Sequence, residues 1–195
     1  MTDRFRLTIS QLNPTLGNFK ENFSKAVTSW EIGKAEKANL VALPEMFITG
    51  YQTQDLVLKK AFVKEAEQTI INLAHRCSDG PPIAIGHPML RGTNLYNAYS
   101  ILENGEIKLS IFKQILPNNS VFDEKRLFSP GIETQPYSVG NIRIGSPICE
   151  DAWHPEISET LVETGAELLL VPNGSPYSRT KHDLRVNTMV SRVIE

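Results

Sequence analysis

The stretch Ile148-Cys149-Glu150-Asp151-Ala152-Trp153 places one thiol directly before two carboxylates. It closes an alternating run over 141–148, in which Ile142, Ile144 and Ile148 share a face. A helix is expected to follow, with Pro155 in its first turn and Gly165 just past its end. Cys149 therefore falls at a strand-to-helix turn, which lifts a side chain into a cleft and aims backbone N–H groups at whatever reacts there. A free cysteine is commonly a small buried hydrophobe, but two adjacent carboxylates do not suit a dry core. A thiol with the ordinary pKa of about 8.5 is only a few per cent ionised at neutral pH, so a nucleophilic Cys149 needs a base or a cation beside it.

Two residues answer that need. Glu45 stands just past the short buried run 38–43 and Pro44, and Lys113 ends the second strand of a hairpin centred on Asn104-Gly105. Ligands of open α/β sheets gather at the carboxyl ends of strands. There Glu45 could take the thiol's proton and pass it to a departing amine. Lys113, with the backbone N–H just after Cys149, could hold a tetrahedral oxyanion. That is amide hydrolysis through a thioester. Taken singly, the glutamate reads as a solvated loop residue and the lysine as a snorkelling edge residue. The apolar run Met46-Phe47-Ile48-Thr49-Gly50-Tyr51 after Glu45 is unlike an ordinary exposed loop and favours a site.

The elements that would position these groups alternate. An alternating run over 6–11 is followed by a helix over 22–37 whose apolar stripe is Phe23, Ala26, Val27, Trp30 and Ile32. A second amphipathic helix covers 55–76 and ends at Cys77, read as inert. A short strand over 82–86 leads to His87, read as a turn residue. The hairpin pairs 95–102 with 106–112, and the loop 116–124 could fold over a site. Lys37-Ala38-Asn39-Leu40-Val41-Ala42-Leu43-Pro44-Glu45 is echoed by Gly165-Ala166-Glu167-Leu168-Leu169-Leu170-Val171-Pro172-Asn173, two related α-to-β units. Helices alternating with short buried strands and one hairpin indicate an α/β layered protein with a mixed sheet.

The 195 residues suffice for one domain with a proper core. A net charge of −2 without a basic run argues against nucleic acid, and the apolar runs are too short to span a membrane. The residues 1–6 lack the pattern of a signal peptide. Two cysteines make no disulfide framework, which fits the cytoplasm, and no paired Cys or His spacing suggests a metal.

In combination, Leu43-Pro44-Glu45 with Thr49-Gly50-Tyr51, Lys113 with Leu116-Pro117-Asn118, and Ile148-Cys149-Glu150-Asp151 resemble the nitrilase, or carbon–nitrogen hydrolase, superfamily. Val121-Phe122-Asp123-Glu124-Lys125-Arg126, Ile148-Cys149-Glu150-Asp151-Ala152-Trp153 and Asn173-Gly174-Ser175-Pro176 resemble, more narrowly, the amino-terminal glutaminase domains of glutamine-dependent NAD synthetases. The resemblance covers almost the whole chain. It implies an αββα sandwich with sheets stacked in subunit pairs, and thus a homo-oligomer. It implies Glu45 as base, Lys113 as oxyanion stabiliser, Cys149 as nucleophile and Glu124 as the second glutamate that holds the site together. Tyr51, Glu150, Ser175 and Lys181 fall where such glutaminases contact glutamine: Glu150 for the α-ammonium, Lys181 for the carboxylate, with Arg179 as rival for the latter. No cofactor is implied in this chain. ATP and Mg belong to a synthetase domain, which would amidate deamido-NAD to NAD with the released ammonia.

This sequence departs from the resemblance at Asn119, where a tyrosine is usual, at Leu127, where an aromatic is usual, and at Gln52-Thr53-Gln54, which replaces a more proline-rich stretch. No Ser-Gly-Gly-x-Asp-Ser loop of a synthetase domain is present. The expectation is a carbon–nitrogen hydrolase domain over 1–195 whose carboxy-terminal part is missing, with Val186, Met189, Val190 and Val193 spaced to bury against something. Rival readings are a stand-alone amidase for another small amide, a non-catalytic binding module, and a papain-like hydrolase pairing Cys149 with His75, His87, His154 or His182. None of these histidines sits in a persuasive local signature.

Overall fold

A computed structural model describes residues 4–132, 135–179 and 181–194. Its larger sheet has the order β1-β2-β3-β4-β5, formed by Leu7–Ile9, Leu40–Ala42, Ile83–Arg91, Asn94–Glu103 and Glu106–Phe112. The first three strands run parallel, and the β3–β4 and β4–β5 pairs are antiparallel hairpins. The smaller sheet holds β6 (Tyr137–Val139), β7 (Ile142–Gly145) and β8 (Leu168–Leu169), with β7 antiparallel to β6 and parallel to β8.

Helices α1 (Phe19–Ala35) and α2 (Lys60–Arg76) cover one face of the larger sheet. There Ala26, Trp30, Ala66, Ile70 and Leu73 pack with Val41, Ile83, Ile85 and Leu102. The sheet's other face meets the smaller sheet, where Leu40, Ala84, Tyr99, Ile101 and Ile111 share a core with Tyr137, Val139, Ile144, Ile148 and Cys149. Beyond the smaller sheet lie α4 (Pro155–Glu163) and α5 (Lys181–Ile194), and a short α3 (Glu124–Leu127) sits in the loop after β5. The αββα layering, expected from paired subunits, is thus assembled within one chain. Burying both faces of β2 in this way explains why it is apolar at every position.

Several expectations need correction. Helix α1 starts at Phe19, three residues before 22, because Asn18 caps it by accepting from the Glu21 N–H. Ile32 leaves the apolar stripe and is 55% exposed. The helix over 55–76 is broken: Gln54–Leu58 forms a 3-10 turn, Lys59 adopts an extended conformation, and α2 begins after it. His87 lies inside β3, not in a turn. It is fully buried and bonded to Ser100 Oγ at 2.7 Å and to the Pro88 carbonyl at 3.0 Å, and burial pushes its pKa down to about 4. The strand continues through Pro88 at no cost in ladder bonds. Ala84 and Gly86, in the same phase, turn their backbone groups toward the β2 side, and β2 has ended by Pro88. The run over 141–148 is regular only as far as Gly145. On α5, Leu184, Val186, Val190, Val193 and Ile194 are exposed. No helix among the described residues is long and apolar enough to cross a membrane.

Candidate active site

Glu45, Lys113 and Cys149 come from three different strand ends and converge between the two sheets. The β2 strand ends at Ala42, two residues before Pro44, and the chain then folds closely over Gly86 of β3. A Cβ on Gly86 would lie 2.1 Å from Met46 N and 2.6 Å from Glu45 C, so only glycine admits this approach. Pro44 then accepts from the Gly86 N–H, and Gly86 accepts from the Ile48 N–H, fixing the turn that presents Glu45.

Lys113 lies one residue past β5. Its ammonium is 2.8 Å from Glu45 Oε1 and 3.0 Å from Glu124, which stands at the start of α3. Side-chain exposures are 0% for Lys113, 0% for Glu45 and 3% for Glu124, so this is a dry cluster of one cation and two carboxylates. Burial opposes the charge on Lys113, but Glu45, the Cys149 sulfur and Glu124 outweigh it and hold the ammonium above the ordinary lysine range. Burial pushes the Glu124 carboxyl up, Lys113 pulls it back, and Glu45 pushes it up again. Tyr51 donates its hydroxyl to Glu124 Oε1 at 2.7 Å, and burial followed by the charge of Glu45 holds that phenol above its usual range.

Sequence reasoning missed two further partners of Glu45. Asn97 Nδ2 donates to Oε1 at 2.8 Å, while the Asn97 carbonyl accepts from the Lys113 N–H at 2.9 Å. The Gly174 N–H donates to Oε2 at 2.8 Å, and a Cβ on Gly174 would lie 2.5 Å from the Tyr51 ring. The only hint was the polar Asn97 amid the apolar run of β4. Between them these bonds leave Glu45 fixed in direction at both oxygens.

Cys149 opens a 3-10 turn over Cys149–Trp153 with φ of 51°, the left-handed region that L side chains enter at a cost of about 1–2 kcal/mol. Its N–H donates to the Pro172 carbonyl at 2.9 Å. Its sulfur lies 3.6 Å from Ser175 Oγ. Burial first, then Glu45, push the thiol up to about 12, against Lys113, Ser175 and the Gly174 backbone, so the resting group is neutral. The turn is held by Asp151, which is 1% exposed and accepts three backbone N–H groups. Burial pushes Asp151 up to about 6, against those donors and Lys113.

Of the expected substrate contacts, Tyr51 and Ser175 join the cluster directly. Glu150 is half-buried in the turn that carries Cys149. Lys181 reaches the rim, its ammonium 5.9 Å from the centre of the Phe122 ring, which itself lies 6.2 Å from Tyr51. Arg179 and Asn119 are exposed, and Leu127 packs beside Met46, Val57, Leu116 and Phe128. A cavity of about 200 Å³ opens beside Tyr51 and Glu124, with Gln52, Asp55, Val121 and Arg126 in its wall. The recorded bonds of His87 go to Ser100 and Pro88, and His154 pairs with Glu156 at 3.6 Å, which gives no support to a cysteine–histidine pair.

A carbon–nitrogen hydrolase family profile matches residues 6–194. The glutamine-dependent NAD(+) synthetase of Rhodobacter capsulatus is 50% identical over 195 residues, all of this chain and 35% of that protein. The corresponding protein of Thermotoga maritima is 37% identical over 186 residues, covering 93% of this chain and 32% of that one. This chain spans about a third of the length of these relatives. Among solved structures, a glutamine-dependent NAD+ synthetase from Acinetobacter baumannii in complex with ADP superimposes with a TM-score of 0.87 at 26% identity, over 96% of this chain and 35% of that one. An amidase from Nesterenkonia sp. shares the fold, with a TM-score of 0.81 at 21% identity over 99% of this chain and 74% of the amidase. With the profile matched along nearly its whole length, the chain belongs to the carbon–nitrogen hydrolase family.

Proposed function

We propose that this chain hydrolyses the side-chain amide of glutamine through a thioester at Cys149. The observation that carries the reading is the buried Glu45–Lys113–Glu124 cluster set beside the Cys149 thiol on a left-handed turn. Glu45 accepts the thiol proton as Cys149 attacks the amide carbon, and the oxyanion that forms draws on Lys113. Collapse breaks the C–N bond, and ammonia leaves with the proton from Glu45. Water, deprotonated by Glu45, then cleaves the thioester to glutamate and restores the thiol. Tyr51, Glu150, Ser175 and Lys181 form the glutamine-binding set, with Glu150 meeting the α-ammonium and Lys181 the carboxylate.

The relatives' names support a further assignment, that the ammonia serves a synthetase domain or partner. That unit, using ATP and Mg, would amidate deamido-NAD. The exposed apolar side chains of α5 support a self-associating protein, and the two free cysteines a cytoplasmic one. Ammonia release from glutamine and from butyramide tests the reading. A plain aliphatic amide leaves Glu150 without its cation, so kcat/KM should favour glutamine by at least about tenfold. Comparable values for the two amides would turn the reading toward a general amidase.

A further inference from the structure

One buried carboxylate ties the nucleophile to the cation without taking part in either's chemistry. Asp151 Oδ1 accepts from the Gln114 N–H at 3.0 Å and from the Ile115 N–H at 2.7 Å, the two residues that follow Lys113. Its Oδ2 accepts from the Ile148 N–H at 3.0 Å, the residue before Cys149. The Asp151 N–H in turn donates to the Ile148 carbonyl at 3.0 Å. Cys149 belongs to the side of the smaller sheet and Lys113 to the end of the larger one, so these bonds cross the seam between them. The backbone of Cys149 also sits in a conformation that its surroundings must impose.

We propose that Asp151 is a positioning residue, a strut that sets the distance between the Cys149 sulfur and the Lys113 ammonium. The inference rests on the proposed function only for its kinetic readout. Oxyanion stabilisation depends steeply on where the donor stands, and misplacement by about 1 Å costs about 10²-fold. Alkylation of a thiol by iodoacetamide builds no oxyanion and is far less sensitive to that distance.

The substitution Asp151→Asn separates the two ends of the strut. An asparagine oxygen still accepts from Gln114 and Ile115, while its NH2 group faces the Ile148 N–H, donor against donor. The nucleophile's turn is released and the β5 end is kept. In a folded Asp151→Asn protein, kcat for glutamine should fall about 10–100-fold, with KM and the iodoacetamide rate at Cys149 each within about threefold of wild type. Wild-type kcat in the variant would overturn the proposal. So would parallel losses in kcat and alkylation, which would mark a general lesion of the thiol or fold. If Asp151→Asn does not fold, Asp151→Glu, with the same acceptors one methylene further out, must show the same split. Amide hydrogen exchange reads the strut independently of turnover. The Ile148 N–H should exchange at least about tenfold faster in Asp151→Asn, with Gln114 and Ile115 little changed. A wild type that releases no ammonia from glutamine would sink the functional reading alone. Unchanged exchange at Ile148 would sink the strut.

Discussion

The two sides of the site are built to opposite standards. On the larger sheet, Glu45 is bonded at both oxygens, Lys113 lies between two carboxylates, and Glu124 holds the Tyr51 hydroxyl, with Glu45, Lys113 and Glu124 all buried. On the other side the Cys149 sulfur has a long contact to Ser175, while Glu150 and Lys181 are half-buried. Apart from Asn97 Oδ1 and Glu124 Oε2, which no hydrogen bond reaches among the described residues, the first side is bonded before any substrate arrives. The second has bonding capacity to spare, and glutamine would supply what it lacks. A dry cluster of fixed charges needs no reorganisation during reaction, whereas a binding surface must stay open to its ligand.

The sharpest way to break this contrast is to remove the proposed nucleophile. Cys149→Ala should abolish ammonia release, and an electrophilic glutamine analogue should modify Cys149 in the wild type and leave Cys77 unmodified. Cys77 is buried at the end of α2, and burial pushes its thiol up to about 12 as well, so ionisation alone does not separate the two. Equal modification of both would remove Cys149 from its role. Next in size is Lys113→Ala. Losing the oxyanion donor should lower turnover about 10²–10³-fold. Leaving Glu45 and Glu124 face to face should also cost about 3–5 kcal/mol of stability, visible as a lower Tm at neutral pH. Near-normal hydrolysis in that variant would place the stabiliser elsewhere.

Acidity gives a smaller, continuous test. Because the Cys149 thiol is pushed up to about 12, its thiolate fraction in the free protein should rise about tenfold per pH unit well past the ordinary thiol range. Iodoacetamide alkylation of the substrate-free protein should therefore still be climbing between pH 9 and 10. A plateau by pH 8 would mean that Lys113 has won over burial and Glu45. The smallest effect belongs to the open side. Lys181→Ala should raise KM for glutamine about tenfold with kcat little changed, and Arg179→Ala should do neither. The reverse result would exchange the two cations.

Much of this arrangement was legible in the sequence, and the reason is local. A strand ended by proline, the Asn104-Gly105 hairpin and a helix opened by Pro155 fix where Glu45, Lys113 and Cys149 leave their elements. What stayed hidden depends on contacts far apart in the chain. Asn97 is an ordinary strand residue until β4 lies beside the turn that carries Glu45, and His87 reads as a turn residue until pairing with β4 shows it as strand. Ile32 stands two residues from Trp30 and so falls off the buried face of α1, which runs through Asn22, Ala26, Ser29, Trp30 and Gly33. The stacking of the sheets was assigned to neighbouring subunits on the resemblance alone, since periodicity reports which residues are apolar and not what covers them.

The close fit at Gly86 also governs timing. The turn bearing Glu45 is held by backbone bonds to β3, so the proposed base has no settled position until β2 and β3, about forty residues apart in sequence, have paired. Catalytic competence is therefore a late property of the folding chain. Trp30 packs in the same core and donates its indole N–H to the Pro81 carbonyl just before β3, which makes its fluorescence a clock for that event. During refolding, ammonia release should never run ahead of the Trp30 signal.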